Sequence, residues 1–388
     1  MRVALIATGE KGAAPAPHIA GRSLVLRQLD FARVWGAERI IAYGDGVPGD
    51  AEALREEAER AGLAHSAVIS AHALLPLVGW SDEMLVLQPG LMPEALPAIA
   101  ALKAGHIVLA FTSEGARETG WERIDARHHW AGALTLPGAL VDRLGELGED
   151  ADPHAALLRI ALQAGQPIEM LDTDVQANGA WMRLRGDEPA AAMCAARLRR
   201  HPVASPREDP TRSLAGIILA RFAGVLCERK EAPGTCVTLA LLLPCAALFA
   251  ASRGLAALAF AGIALGVLAL ELAVALDRLS RAAFQTRRLG RWLDHVPDAA
   301  LLFVGMVAID GPWFRQLFPP IVLLVALRAV PWRADWRNAV RDRGLGALLV
   351  ALMAIGSWQE PALMAWALLA LAAGWTWVRG EALSAGDR

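Results

Sequence analysis

The sequence predicts an α/β domain followed by an all-α membrane domain of six spans. Three observations carry that prediction. Before about residue 200, charged and apolar segments are mixed, whereas from Thr235 onward long apolar runs are broken only by arginine-rich patches. In the first half, β-rich runs alternate with helical periods, the pattern of a sheet covered on both faces. In the second half, the arginines gather in alternate connections between apolar segments, as cytoplasmic loops do.

Taken in order, Arg2 to Ala7, Arg39 to Tyr43, Met84 to Leu87 and His106 to Phe111 read as strands. Ser23 to Trp35, Ala51 to Ala61 and Pro93 to Ala104 read as helices between them. A largely parallel sheet follows, and ligands of such sheets sit at the carboxyl ends of the strands. Asp187 to Arg200 is expected to be the last helix of a domain over residues 1–200, and the proline-rich run of 201–211 to be the linker. In the segment 212–232, Leu214, Ile217, Ile218, Phe222 and Val225 recur at helical spacing, opposite Arg212, Arg221 and a charged end at Glu228, Arg229 and Lys230. That is the pattern of an amphipathic juxtamembrane helix.

The membrane domain is expected over 233–388, with apolar segments Thr235 to Ser252, Gly254 to Leu276, Ala299 to Ile309, Leu317 to Val330, Leu345 to Trp358 and Pro361 to Val378. The first, second and sixth are long enough to span alone. Arg278, Arg281, Arg287, Arg288 and Arg291 fill the connection after the second segment, and Arg328, Arg333, Arg337, Arg341 and Arg343 follow the fourth. Six spans with both termini in the cytoplasm put every such patch inside. Eight of the thirteen tryptophans lie at or after Trp292, several near span ends, as in an interfacial belt.

Composition excludes several classes. A net charge of −2 offers no global basic field, which argues against a nucleic-acid partner. Cys194, Cys227, Cys236 and Cys245 lack metal-ligand spacing and read as packing residues. Met1 to Ala7 lacks the long apolar core of a secretory signal, so the first domain is expected in the cytoplasm. A transporter is disfavoured because the polar residues cluster at one membrane face.

The chemistry-bearing motif is Gly290-Arg-Trp-Leu-Asp294-His-Val-Pro-Asp298, between the second and third spans. Four-residue spacing puts Gly290, Asp294 and Asp298 on one helix face, and carboxylates beside lipid are costly unless they serve a function. A plainer alternative is a solvated loop whose aspartates pair with Arg287 and Arg291. With Arg281 nine residues before Gly290, the run resembles the second half of the motif of the CDP-alcohol phosphotransferase family, Asp-x2-Asp-Gly-x2-Ala-Arg-x8-Gly-x3-Asp-x3-Asp. The resemblance implies transfer of a phospho-alcohol from a CDP-alcohol to an acceptor alcohol, including lipid, in phospholipid or head-group synthesis. It implies two Mg²⁺ or Mn²⁺ ions held by Asp294 and, as a displaced ligand, Asp277, with Asp298 as the base and Arg281 and Gly290 at the nucleotide. It further implies an integral protein of a bacterial inner membrane, working as a homodimer.

The first half of the motif departs from that pattern. Ala273 and Leu276 stand at the two aspartate positions, Asp277 at the glycine and Ser280 at the alanine. A one-residue shift turns a side chain by about 100° around a helix, so a metal site built this way lacks at least one ligand unless Glu271 reaches over. The alternative expectation is therefore a pseudoenzyme that binds ligand or assembles with an active partner.

A second resemblance extends over the first half. Asp209-Pro-Thr-Arg-Ser-Leu and the later Pro233-Gly-Thr-Cys-Val-Thr238 look like the start of the membrane domain in fusions of inositol-phosphate cytidylyltransferase with di-inositol-phosphate synthase. The N-terminal domain then resembles the nucleotidyltransferase (Rossmann-like) fold, with Leu5 to Gly12 as the nucleotide loop and Ala20-Gly21-Arg22-Ser23-Leu24 as the helix start. That likeness implies phosphate contacts at Gly9 and Lys11, or at His18. The loop has only Gly9 and Gly12, its usual downstream lysine is missing, and Gln88 stands near the expected metal aspartate, so this domain is expected to be inactive. His128 and His129 are adjacent on a strand and point to opposite faces, against a shared metal.

Overall fold

The computed structural model describes residues 1–9, 18–19, 22–44, 49–112, 121–177, 179–184, 209–222, 225–226, 229, 231–280, 291–329 and 336–386. The chain folds as two compact units, one on Met1–Arg197 with Leu279–Thr286 and one on Leu198–Arg278 with Arg287–Arg388. The expected last helix of the first domain, 187–200, lies outside the described residues.

The first unit is built on β1 (Arg2–Ala7), whose Val3, Ala4, Leu5 and Ile6 are fully buried. A strand buried on both faces reads as a continuous apolar run, which is why it was legible. The other main strands are β4 (Arg39–Tyr43), β5 (Ala64–Val68), β6 (Glu83–Leu87), β8 (Val108–Thr112), β9 (His128–Pro137) and β10 (Ile168–Met170), in the order β10-β8-β9-β6-β1-β4-β5. β1 runs parallel to β4 and β6, whereas β9 runs antiparallel to both β6 and β8. The sheet is largely parallel, as expected, and is mixed only through β9.

Alternation sends Ala4, Ile6, Ile40, Leu85 and Leu87 to one face, against α1 (Leu24–Trp35) and α3 (Leu96–Ala104). Val3, Leu5, Ile41, Met84 and Val86 go to the other, against α4 (Pro153–Gln163). Ser23 caps α1 by accepting from Leu26 N, and Gly36 closes it at φ 105°. A short ladder pairs β7 (Leu91–Pro93) with β11 (Trp181–Arg183), so Pro93 is in a strand, and α3 begins only at Leu96. Smaller pieces are β2 (His18–Ile19), β3 (Arg22–Ser23), α2 (Asp50–Arg60) and α5 (Asp174–Ala177).

The second unit is helical: α6 (Pro210–Arg221), α7 (Ala232–Ser252), α8 (Ala256–Ser280), a 3₁₀ turn (Arg291–His295), α9 (Val296–Ala308), α10 (Trp313–Ala329), α11 (Trp336–Arg341), α12 (Arg343–Ala354) and α13 (Gln359–Gly386). Among the described residues, two helices, Ala232–Ser252 and Ala256–Leu279, are long and apolar enough to cross a membrane. The other four expected spans fall on α9, α10, α12 and α13. Small residues let these helices approach closely, as in membrane bundles. A Cβ on Gly346 would lie 2.0 Å from the Trp366 ring, and one on Gly305 2.7 Å from Pro320.

Helix α6 starts two residues before the expected boundary, at Pro210, because Asp209 caps it by accepting from Arg212 N. It buries its small and polar side, Thr211, Ser213, Ala215 and Leu219, and exposes Leu214, Ile217 and, just beyond its end, Phe222. Arg221 sits on the exposed apolar side, because residues seven apart stack on one helix face and Leu214 lies seven before it.

Candidate functional site

A cavity of about 440 Å³ opens in the helical unit, lined by residues of α6, α8, the 3₁₀ turn and the helices from α9 to α12. Asp298, in the first turn of α9, is its best-buried acid, with a side chain 9 % exposed. Both carboxylate oxygens are engaged: Oδ1 accepts from Arg343 Nε at 2.5 Å and Oδ2 from an Arg328 Nη at 3.2 Å. Arg343 is the first residue of α12 and Arg328 lies in the last turn of α10. Arg341 lines the cavity beside them. Burial pushes its guanidinium below the ordinary arginine range, nearby Arg343 adds to the shift, and Asp298 opposes it.

Asp342 organises the next part of the wall. Its carboxylate caps α12 by accepting from Gly344 N and Leu345 N, and it accepts at 2.6 Å from both the backbone N–H and the hydroxyl of Thr211. One side chain therefore serves the starts of two helices, α6 and α12. A side chain at Gly344 is excluded, since its Cβ would fall 2.4 Å from Thr211 Oγ1.

On α8, Glu271 faces Arg212 of α6, with Nε and Oε2 3.4 Å apart. Those two atoms are buried without a hydrogen-bond partner among the described residues, so this is an ion pair without a shared proton. Arg212 also lies 3.8 Å from Asp209. Burial pushes the Asp209 carboxyl above its ordinary value; the bond from Arg212 N opposes this, and the like charge of Asp342 adds to it.

Asp294 and Asp298 do line one cavity, as the motif spacing predicts. Asp294 sits exposed on the 3₁₀ turn and makes no hydrogen bond or ion pair among the described residues. Asp277 lies on α8, has a partner interaction of its own, and is not a lining residue. Ala273 and Leu276, at the expected aspartate positions, are fully buried apolar residues. Arg281 and Gly290 lie outside the described residues, as does Arg287.

These residues do not fit a two-metal centre. Such a centre needs several carboxylates with open oxygens. Both oxygens of Asp298 are occupied by guanidinium N–H groups, and no group of three or more His, Cys, Asp or Glu converges for a metal among the described residues. The segment 281–290 contains none of those residue types. Sequence reasoning considered Glu271 but missed the importance of Arg328, Arg341 and Arg343, treating them only as loop charge. The run Asp342-Arg343-Gly344, a cap residue followed by a glycine at the head of an apolar segment, was the signal that could have placed Arg343 on a helix.

In the first unit, Gly9 follows β1 at φ 85°, and its carbonyl oxygen lies 2.4 Å from where a Cβ of Gly44 would be. The ends of β1 and β4 are thereby held together, with Thr8 N donating to Tyr43 O at 2.9 Å. Lys11 lies outside the described residues. Arg22 makes a two-pronged pair with Asp30, both contacts at 2.6 Å, and so is committed to the fold. Gln88 is 5 % exposed, and its Oε1 has no hydrogen-bond partner among the described residues. His128 and His129 turn to different partners, Asp125 and the Trp121 carbonyl. Cys236 is buried and Cys245 exposed, both unpaired among the described residues. No protein-family model matches the chain, and no curated protein matches it in sequence.

Proposed function

We propose that the chain is an integral membrane protein of six spans with a CDP-alcohol phosphotransferase-like helical domain, in which phosphotransfer has lapsed and the cavity survives as a ligand site. The observation that carries this reading is the engagement of Asp298 by Arg343 and Arg328. One guanidinium contact on each Asp298 oxygen stabilises the carboxylate and makes it a weaker base, while leaving each oxygen a single further lone pair. Burial of apolar side chains where the motif calls for Ala273 and Leu276 to be aspartates supports the same reading.

The membrane placement is supported by the two long apolar helices and by exposed Leu242, Phe249, Leu258, Phe303 and Val325 on the helical unit. Arginine loops on one side favour cytoplasmic termini and a cytoplasmic α/β domain. That domain serves as a nucleotidyltransferase-like remnant, with Gln88 at the acid's place and Arg22 tied to Asp30.

A retained transferase activity is the second reading, and Asp294 favours it: an exposed carboxylate on the cavity without a partner among the described residues. CMP release by the full-length protein, measured with a panel of CDP-alcohols and acceptor alcohols in Mg²⁺ or Mn²⁺, separates the two. No release above the protein-free rate is expected. Metal-dependent release that Asp298→Asn abolishes would establish the enzyme reading instead.

A further inference from the structure

We infer that α6 is a movable wall of the cavity, held shut on α12 chiefly by polar contacts, and that its release opens the buried part of the cavity. Access of this kind is independent of whether phosphotransfer survives. The lining has exposed residues, Asp294 and His295, and buried ones, Leu270 and Asn338. Helix α6 contributes Thr211 and its cap residue Asp209. The walls differ in how they are fixed. Val267 of α8 and Leu301 and Val304 of α9 belong to the apolar core of the bundle, and no residue of α6 joins that core among those described.

Helix α6 packs chiefly on α12. Of the residues it buries, Thr211, Ser213, Ala215 and Leu219, only Leu219 is a large apolar side chain, so little hydrophobic area holds it. Its hold is at the N-terminal end, where Thr211 donates its backbone N–H and its hydroxyl to Asp342 and Arg212 faces Glu271. Bonds of this kind are worth only what they gain over hydration, so water at an opened wall replaces much of them. Arg212 Nε and Glu271 Oε2 favour opening outright. They lie 3.4 Å apart, buried and without a hydrogen-bond partner among the described residues, and buried polar atoms left so are costly. The outer face adds no resistance. Leu214 and Ile217 are exposed with α6 in place, and a displacement along the bilayer surface leaves them in the same apolar surroundings.

Gly344 offers a lock. A Cβ there would lie 3.2 Å from Thr211 Cβ, a few tenths of an ångström short of the separation in a disulfide. Thr211→Cys with Gly344→Cys, in full-length protein without the native cysteines and in phosphatidylcholine nanodiscs, therefore ties α6 to α12 when oxidised. Leu270→Cys is the reporter in that background, and its reaction with a charged maleimide is followed by peptide mass spectrometry. The locked protein is expected to react at least about tenfold more slowly at position 270 than the reduced one. Asp294→Cys, on the exposed lining, is expected to react alike in both. Without the lock, Thr211→Val removes one hydroxyl bond and keeps the shape of the side chain. It is expected to speed the reaction of Leu270→Cys about fivefold, the worth of one hydrogen bond. Equal rates at position 270 in locked and reduced protein, no reaction there in either, or no acceleration by Thr211→Val would overturn the inference. So would failure of the disulfide to form, since α6 and α12 would then not meet at Thr211 and Gly344, or an equal slowing of Asp294→Cys, which would show a general tightening. CMP release bears on transfer alone, so the lapsed-transferase reading and the movable wall fail separately.

Discussion

Arg343 donates Nε to Asp298 Oδ1 at 2.5 Å, joining the first residue of α12 to the first turn of α9. The Arg343 side chain is 22 % exposed, whereas that of Arg328, the second partner of Asp298, is 63 % exposed. Exposed pairs contribute little and shielded ones more. In double-mutant cycles on thermal or denaturant unfolding, Asp298→Asn with Arg343→Gln is expected to show a coupling of about 1–3 kcal/mol, and Asp298→Asn with Arg328→Gln less than about 1 kcal/mol. Equal couplings would show that the two arginines share the carboxylate evenly.

Asp342 carries a larger structural role than Asp298. Asp342→Ala removes a helix cap and two hydrogen bonds to Thr211 together, with an expected cost of about 2–4 kcal/mol. Gly344→Ala is expected to destabilise by placing a methyl against Thr211, and Thr211→Gly to recover part of that loss in the double variant. Unfolding midpoints of the four proteins test the pairing; an additive double variant would break it.

Much of the fold was legible because burial on both faces leaves a mark in sequence. The fully buried runs of β1 and β6 read as strands directly, and Ser23 and Gly36 bracket α1 with the residues a helix end requires. β9 was read as a strand only at its first two residues, His128 and His129; Gly132 and Thr135 break the apolar run that follows, and its burial comes from pairing with β6 and β8 on either side. The candidate site was half legible for a related reason. The spacing of Asp294 and Asp298 is local, so counting found it. Their arginine partners arrive from α10 and α12, 30 and 45 residues after Asp298, and only the fold brings them there.

Helix α6 should lie against lipid, because its exposed side is apolar: Ile217 is 61 % exposed and Leu214 47 %, while Ser213 is buried. A nitroxide at Ile217→Cys in a variant without the native cysteines is expected to be relaxed more by oxygen than by a polar nickel complex when the protein is in nanodiscs. The reverse order would place that face in water.

Acid should loosen the turn before β9. Hydrogen bonds from His128, first its ring and also its backbone N–H, together with the Arg127 N–H, hold the Asp125 carboxyl down at about 2, below its ordinary 3.8. A carboxyl lowered by folding contributes stability that is complete above its unfolded pKa and is lost as pH falls toward the folded one. The difference in Tm between wild type and Asp125→Asn is therefore expected to be constant above about pH 4 and to shrink toward pH 2. A difference that does not vary over this window would show that these bonds do not select the carboxylate.

The central claim is that arginine, not metal, occupies the surroundings of Asp298. Anomalous diffraction at the manganese edge, from crystals of the full-length protein grown with Mn²⁺, tests it at the atom in question. The account expects no anomalous peak at Asp294 or Asp298 and an intact Arg343–Asp298 contact. A manganese peak ligated by both aspartates, with Arg343 turned away, would contradict it.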